Sequence, residues 1–333
     1  IIKYDAEGKV EWAEGIGSES SDYVKWISKT QDGGCIIGGD FSRSIELENG
    51  DTLGNDGSFT GMIIKYDIEG KVEWAEGIGE TSSDYINSVA ETRDGSYIVG
   101  GYYSSIDLGD GVSLTNKGSF DGMVIKLEKI EAPSSTITQA KEIGGAGSDQ
   151  ITSVAGTSDG GYIVGGHFDS SSIDLENGES LTNKGNSDGM IIKYDSKGNI
   201  EWVEGIGGTG YDYIRSVVET RDGGYIVGGY FYSNSIYIGN GINLTNKGSY
   251  DGMIIKYDAE GKVEWAQEIG GTGNDYIRSV AETRDGGCIV GGYYSSSRID
   301  LGNGKSLTNK GNSDGMIIKY DSKGNIEWVE GIG

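Results

Sequence analysis

The chain has 333 residues, of which 60 are glycine and one is proline, and it carries a formal net charge of −25. This charge argues against nucleic-acid binding, which needs a basic surface to neutralise phosphates, and against attraction to anionic membranes. No apolar stretch of the sequence approaches the roughly 20 residues of a membrane span, so we expect no membrane insertion. The many tyrosines and β-branched residues argue against disorder.

The sequence repeats itself with a period of about 63 residues. The tetrapeptide Ile-Lys-Tyr-Asp recurs along the chain, and a degraded copy lies at 125–127; the intact copies are at 2–5, 64–67, 192–195, 255–258 and 318–321. Residues 180–207 are identical to residues 306–333. Such a chain is an array of one supersecondary unit, so a feature copied in every unit is more often architecture than active site.

In chain order, residues 1–17 predict the last two strands of a unit, and five complete units follow at 21–79, 83–143, 149–207, 211–270 and 274–333. Each unit predicts two hairpins, because β-rich runs are joined by short Gly-containing turns. In the last unit the runs are 275–283, 288–294, 316–321 and 325–330. Between the second and third strands, Gly302-Asn303-Gly304 and its counterparts predict a small extra hairpin.

The unit is therefore a four-stranded antiparallel blade, and we predict an all-β fold, a β-propeller with five complete blades and an N-terminal half-blade. A five-membered ring would leave the half-blade without a place, so six positions around the wheel are favoured. Residues outside this sequence would then complete the first sheet, as part of a longer chain or assembly. An open superhelical array is the alternative.

Three segments of the repeat carry a family resemblance: Gly207–Tyr213, Asp222–Tyr230 and Asp251–Trp265. With them the whole chain resembles the SBBP-type β-propeller repeats of bacterial and archaeal proteins. The resemblance implies a secreted or surface-anchored propeller, in a family mostly without an assigned activity. The blade at 83–143 departs from the pattern, since it is lengthened and contains Pro133, and Gln139 stands where the other blades have tryptophan.

Aspartates recur at two places of the repeat, although not in every blade. One set precedes the third strand and the other lies on the extra hairpins; they are Asp121, Asp188, Asp251 and Asp314, and Asp107, Asp174 and Asp300. Calcium takes six to eight oxygen ligands, so one carboxylate per blade is too few unless the hairpins contribute more. We therefore expect the first set to cap loops, with calcium as the alternative, and we expect no other cofactor.

Two further sets of recurring residues, the fourth-strand tryptophans and the linkers between blades, are predicted to be structural. The tryptophans of the fourth strands, such as Trp202 and Trp265, are expected to pack between blades. The linkers at 144–149 and 270–275 match a fragment of calcium-binding nonapeptide repeats, but that fragment occurs only once per blade. We interpret these linkers as turns whose aspartate accepts hydrogen bonds from the backbone.

A catalytic site would show itself as residues that break the repetition. Only Lys25, Trp26, Asp40 and His167 do so on the two inner strands. A single histidine cannot build a zinc site, and the Gly-x-Ser-x-Gly elbow that would support a catalytic triad is absent from the sequence. We therefore predict that the chain is not an enzyme.

The sequence thus predicts a non-catalytic extracellular or cell-surface module for binding, adhesion or spacing. We expect it to engage a protein or a glycan through the face that bears the extra hairpins, since such loops carry function. The candidate ligand-binding residues are Asp107, Asp174, Asp300, Asn303, Trp26 and His167. The alternatives are a hydrolase or lyase with its site in the central channel, and a purely structural scaffold of a surface assembly.

Overall fold

The computed structural model describes residues 1–54, 59–79, 83–108, 112–129 and 135–333. Their strands form five four-stranded antiparallel sheets, one from each complete repeat, and six two-stranded sheets. This confirms the predicted all-β fold of five blades preceded by a half-blade. Pro133, and with it the insertion of the irregular blade, lies outside the described residues.

The half-blade and the first two blades are formed as follows. The half-blade consists of β1 (Ile2–Tyr4) and β2 (Val10–Ala13). Blade 1 consists of β3 (Asp22–Lys29), β4 (Cys35–Phe41), β5 (Ile45–Glu46), β6 (Thr52–Leu53), β7 (Thr60–Tyr66) and β8 (Val72–Ile78). Blade 2 consists of β9 (Asp84–Glu91), β10 (Tyr97–Tyr103), β11 (Ile106–Asp107), β12 (Ser113–Leu114), β13 (Asp121–Lys129) and β14 (Ser135–Ile143).

The other three blades repeat this order. Blade 3 consists of β15 (Asp149–Gly156), β16 (Tyr162–Phe168), β17 (Ser172–Asp174), β18 (Ser180–Thr182), β19 (Asp188–Tyr194) and β20 (Ile200–Ile206). Blade 4 consists of β21 (Asp212–Glu219), β22 (Tyr225–Phe231), β23 (Ser235–Tyr237), β24 (Asn243–Thr245), β25 (Asp251–Tyr257) and β26 (Val263–Ile269). Blade 5 consists of β27 (Asp275–Glu282), β28 (Cys288–Tyr294), β29 (Arg298–Asp300), β30 (Ser306–Thr308), β31 (Asp314–Tyr320) and β32 (Ile326–Ile332).

Each blade has two distinct ends. In blade 5, Asp275 and Asp314 both pair with Tyr294, so the first strand begins, the second ends and the third begins at one edge. The small hairpin β29–β30 lies in the connection at this edge, which we call the hairpin end of the blade. The opposite edge, where tight turns join the first strand to the second and the third to the fourth, is the turn end.

The blades pack on one another through glycines of the second strands. A Cβ added to Gly165 of blade 3 would lie 2.7 Å from Val217 and 2.8 Å from Ile214, both on the first strand of blade 4. Gly38, Gly100 and Gly228 face the equivalent pairs in the same way. Because no side chain stands at these positions, the branched residues of the next blade reach the backbone itself, where they are almost completely buried.

The two ends of the array lack this contact. Val24 and Ile27 of blade 1 occupy the positions of the buried pair but are 45% and 53% exposed. At the other end, a Cβ on Gly291 would meet nothing within 4 Å. The half-blade covers only the outer part of blade 1, where the ring of Trp12 stacks on that of Tyr66 with centroids 6.2 Å apart. The closure of the propeller into a wheel with six blade positions remains a prediction.

The tryptophan column packs between blades, as predicted. Trp202 of blade 3 stacks on Tyr257 of blade 4 with ring centroids 6.1 Å apart, and a Cβ on Gly261 would lie 2.7 Å from its indole. Trp265 makes the same contact with Tyr320 of blade 5. Trp328 belongs to the last fourth strand and is 43% exposed.

A buried lysine ties each blade together at its turn end. In blade 3, Lys193 Nζ donates to Asp159 at 2.7 Å, to Glu201 at 2.7 Å and to the carbonyl of Tyr194 at 2.9 Å. Equivalent ion pairs hold Lys65, Lys126, Lys256 and Lys319. A buried ammonium is tolerated only when it is paired and hydrogen-bonded, so this column of lysines is structural.

Three further features of the fold concern the linker aspartates, the two cysteines and the absence of long apolar helices among the described residues. The linker aspartates accept backbone hydrogen bonds, as predicted: Asp149 Oδ2 accepts from Gly145 N at 2.8 Å, and Asp275 Oδ2 from Gly271 N at 2.9 Å. Cys35 and Cys288 are free thiols. Within the part of the chain that the structure describes, no helix is long and apolar enough to cross a membrane.

The contact between blades predicts unequal effects of one substitution at two places. Ile214→Ala, at a fully buried isoleucine, should lower the free energy of unfolding by about 2–5 kcal/mol through lost burial and the cavity left behind. Ile27→Ala, on the exposed first strand of blade 1, should change it by less than about 0.5 kcal/mol. Urea unfolding of both variants measures this difference, and equal losses would contradict the described packing.

The glycines offer a matched pair as well. In Gly228→Ala the new Cβ would lie 2.5 Å from Val280, so blades 4 and 5 must move apart at a cost of about 1–3 kcal/mol. In Gly291→Ala the new methyl group meets open space. Thermal unfolding should therefore show a lower midpoint for the first variant and an unchanged or higher one for the second. A comparable loss in both would mean that Gly291 is covered in solution.

Candidate binding surface at the hairpin end

The hairpin aspartates lie at the surface of the blades. Asp107, Asp174 and Asp300 are exposed ends of the short hairpin strands. Asp300 Oδ1 accepts a hydrogen bond from Gly302 N at 2.9 Å, and Asn303 takes a φ of 50°, the left-handed conformation that such a turn requires. These residues shape the hairpin tips, and the sequence placed them correctly on one face.

The hairpins border polar clefts between neighbouring blades. A cleft of about 440 Å³ between blades 4 and 5 is lined by Asp300, Leu301 and Tyr320 together with Lys247 and Glu268. Lys247 Nζ lies 2.6 Å from Glu268 Oε2, so these two charges on the cleft wall are paired with each other. A cleft of similar volume between blades 2 and 3 is lined by other paired charges, including Lys141 and Glu176.

The aspartates before the third strands cap loops. Asp121, Asp188, Asp251 and Asp314 each accept a hydrogen bond from the backbone N–H four residues earlier, at 2.6–3.0 Å. They lie in separate blades, and among the described residues no group of three or more His, Cys, Asp and Glu side chains could hold a metal ion. The carboxylates that a calcium site would need are therefore not brought together.

Three of these capping carboxyl groups have a second oxygen without a hydrogen-bond partner: Asp121 Oδ1, Asp188 Oδ1 and Asp251 Oδ1. Burial, together with the nearby Glu268, raises the pKa of Asp251 to about 7. Burial also raises the pKa of Asp121 and of Asp188 to about 6. These groups take up protons in the folded state more readily than in the unfolded chain.

The singular inner-strand residues do not converge on one site. Lys25 and Asp40 pair with each other, with Nζ and Oδ1 2.5 Å apart. Trp26 is half-buried and packs against the apolar cluster between blades 1 and 2. His167 lies in blade 3, edge-on to Tyr213 with ring centroids 4.6 Å apart.

His167 is poorly suited to acid–base chemistry. Its side chain is 7% exposed and its Nδ1 has no hydrogen-bond partner among the described residues. Burial, and then the charge of Arg215, lower the pKa of His167 to about 3. The imidazole is therefore neutral throughout the physiological range.

A tyrosine-rich surface at the hairpin end was missed by the sequence analysis. In blades 4 and 5 successive rings lie 4.7–6.4 Å apart from centroid to centroid. We call this set the tyrosine surface; it consists of Tyr211, Tyr213, Tyr230, Tyr232, Tyr250, Tyr276 and Tyr293. Tyr211, Tyr232 and Tyr293 are 40%, 48% and 37% exposed. Tyr293 recurs in the repeat, but Tyr211 and Tyr232 stand where the other blades have Ser, Asn or Asp. The pattern alone does not distinguish buried rings from exposed ones.

A smaller aromatic group lies on blades 1 and 2, and blade 3 interrupts the series. Tyr85 stacks on Tyr102 with centroids 4.7 Å apart, and Lys25 Nζ lies 4.8 Å from the centre of the Tyr85 ring. Blade 3 has Gln150 and Ser187 where its neighbours carry aromatic residues. The tyrosine surface of blades 4 and 5 is thus a local feature and not a property of the whole array.

Two arginines lie within the tyrosine surface. Arg215 donates to the hydroxyl of Tyr230 from Nε at 3.1 Å and from Nη2 at 2.5 Å. Arg278 donates from Nη2 to the hydroxyl of Tyr293 at 2.7 Å. The Tyr230 ring centre lies 5.2 Å from the guanidinium carbon of Arg215 and 5.1 Å from that of Arg278, so both cations contact one ring.

No family model matches the chain. It is similar to the uncharacterized WD repeat-containing protein L264 of Acanthamoeba polyphaga mimivirus, with 23% identity over 402 aligned residues that cover 99% of this chain and 29% of that protein. It is also similar to the regulatory protein FlaEY of Caulobacter vibrioides, with 27% identity over 151 residues, or 45% of this chain and 15% of that protein. The chain therefore spans less than a third of either relative.

Two solved structures are distantly similar to the chain. Sqt1 from Chaetomium thermophilum has 12% identity and a TM-score of 0.36, over 93% of this chain and 84% of that one. The WD40 domain of Neurospora crassa Pan2 has 13% identity and a TM-score of 0.33, over 81% of this chain and 86% of that one. These scores are low, and the description of the blades rests on the contacts of this chain.

The raised pKa of Asp251 predicts a pH-dependent stability. In the unfolded chain this carboxyl ionises near 3.8, whereas in the folded protein it keeps its proton up to a pH of about 7. The folded state therefore loses stability as the pH rises between these two values. Asp251→Asn imitates the protonated form, so its thermal midpoint should match that of the parent at pH 4 and exceed it at pH 8.

Asp300→Asn, at an exposed hairpin carboxyl, is the control and should leave the pH dependence of the thermal midpoint unchanged. A pH profile of Asp251→Asn that runs parallel to the parent profile would contradict the assignment of a raised pKa to this carboxyl.

Proposed function

We propose that this propeller is a non-catalytic binding module of an extracellular or cell-surface protein, and that it engages a protein or glycan through the hairpin end of its blades. The observation that carries the proposal is the tyrosine surface. Tyr211, Tyr232 and Tyr293 expose more than a third of their side chains at this end. Exposed tyrosines bind partners well, because they present a large rigid apolar face with a polar hydroxyl at little conformational cost.

The inner-strand residues support binding rather than catalysis. Lys25 and Asp40 neutralise each other, Trp26 packs between blades, and the buried imidazole of His167 remains neutral. A catalytic group must reach the substrate with a proton to give or take, and none of these four residues does so. The similarity to a WD repeat-containing protein also favours a scaffold that binds.

Support for the proposed location comes from the resemblance to SBBP-type repeats, which implies a secreted or surface-anchored propeller. Multivalent contact through several blades would suit an adhesive or spacing role, because linked weak contacts gain from their high effective concentration. We propose that the chain presents its hairpin end outward from such a surface.

The proposal predicts that binding depends on exposed tyrosines of one end. The labelled chain is applied to arrays of defined glycans and of purified proteins, beside the double variant Tyr211→Ser with Tyr232→Ser. We expect the double variant to lose about tenfold or more in affinity for every ligand that the parent binds, because each exposed aromatic anchor contributes on the order of 1–2 kcal/mol.

Ile68→Ser is the matched control, since Ile68 is 48% exposed at the turn end of blade 1. Its affinity should equal that of the parent. An equal loss in the control variant, or no ligand on either array, would overturn the proposal and leave a purely structural scaffold as the better account.

A further inference from the structure

Arg215 and Arg278 are cations without an acidic partner in the described part of the chain. The ion pairs found there engage ten lysines and Arg221 but neither of these two arginines. In the chain as a whole carboxylates outnumber basic groups, and the net charge is −25. At this place the structure holds two positive charges that it does not neutralise.

The two charges also share one aromatic neighbour. They share contact with the Tyr230 ring, and Arg278 lies in addition 5.3 Å from the centre of the Tyr293 ring. Like charges repel, so the tyrosine faces and hydroxyls must offset that repulsion. An anion placed between the guanidinium groups would offset it further.

Both arginines retain free donors for such an anion. A guanidinium has five N–H groups, and the tyrosine hydroxyls engage only the Nε and Nη2 of Arg215 and the Nη2 of Arg278. Arg278 is exposed and Arg215 half-buried, so solvent and ligand can reach the pair. The hydrogen bonds to Tyr230 and Tyr293 fix the guanidinium planes before any ligand arrives, which lowers the entropic cost of binding.

The surroundings restrict the class of anion. The neighbouring side chains are aromatic: Arg278 contacts the Tyr276 ring, and Tyr250 and Tyr232 continue the series of tilted rings beside it. A pyranose ring presents an apolar C–H face that stacks on such rings, and a carboxylate on the sugar matches the fork of a guanidinium.

We propose that Arg215, Arg278 and the tyrosine surface form a binding site for an acidic oligosaccharide, one that carries carboxylates in the manner of hexuronic acids. The site rests on the proposed function, because it assigns a ligand class to the same hairpin end. Each guanidinium binds a carboxylate, and the tyrosines of blades 4 and 5 stack on the sugar rings between them. The aspartates of the hairpin tips are not part of this site.

The test is titration calorimetry of the 333-residue chain with a hexuronate hexasaccharide and with the neutral hexose oligomer of the same linkage. We expect the acidic oligomer to bind at least about tenfold more tightly, with an affinity that falls as salt is added. Equal binding of the neutral oligomer would overturn the role of the arginines. Tighter binding of an oligoglutamate peptide would overturn the assignment to a sugar.

Matched variants locate the site. Arg215→Gln with Arg278→Gln should weaken hexuronate binding about tenfold or more, whereas the variant with Lys at both positions should lose less, since it keeps the charge but not the fork. The control is Arg221→Gln with Arg284→Gln, which removes two charges from the turn ends of the same blades and should leave affinity within about twofold. Equal losses in both Gln variants would overturn the site, because they would show only an effect of net charge.

This experiment separates the two proposals. Array ligands that depend on Tyr211 and Tyr232 but not on the arginines would leave the binding function standing and reject the acidic-sugar site. If ligand binding depends neither on these tyrosines nor on the arginines, both proposals are rejected. The thermal midpoint of each variant is measured alongside, so that unfolding is not mistaken for loss of a contact.

Discussion

The structure depends on one contact, in which a branched pair from the first strand of a blade packs against a bare glycine of the preceding blade. Ile214 and Val217 on Gly165 show the geometry, and it recurs at every junction between complete blades. Burial of two branched side chains contributes several kcal/mol at each junction, on the order of 1.5–3 kcal/mol per side chain. It also explains why these second-strand positions are glycine, because a Cβ there would force the blades apart.

The same contact sets the positions of the functional groups. Since every blade meets its neighbour in one register, residues at equivalent positions stand side by side at the hairpin end. Arg215 and Arg278 are equivalent in blades 4 and 5, and they meet at one tyrosine ring for that reason. The buried lysines act similarly at the turn end, where Lys193 joins Asp159 to Glu201. Structural groups recur at both ends of the blade, whereas the aromatic residues of the hairpin end differ from blade to blade.

Variation between blades is what makes a local site. Blade 3 replaces aromatic residues with Gln150 and Ser187, and the aromatic series is interrupted there. Blades 4 and 5 keep the tyrosines and add the arginines, so that an array built of one repeat presents a distinct surface at one place. A ligand that spans two blades would recognise this pair of neighbours and no other pair of complete blades in the chain.

The sequence by itself determined the period, the four strands of each blade, the turns and the packing of the tryptophans, because these depend on local chemistry and on periodic apolar positions. It also placed the hairpin aspartates on one face. Only the tertiary structure decided that Trp26 packs between blades, that the capping aspartates stay apart, and that Arg215 and Arg278 share a ring. Those facts depend on distances between residues of different repeats, and such distances arise only when one blade packs on the next.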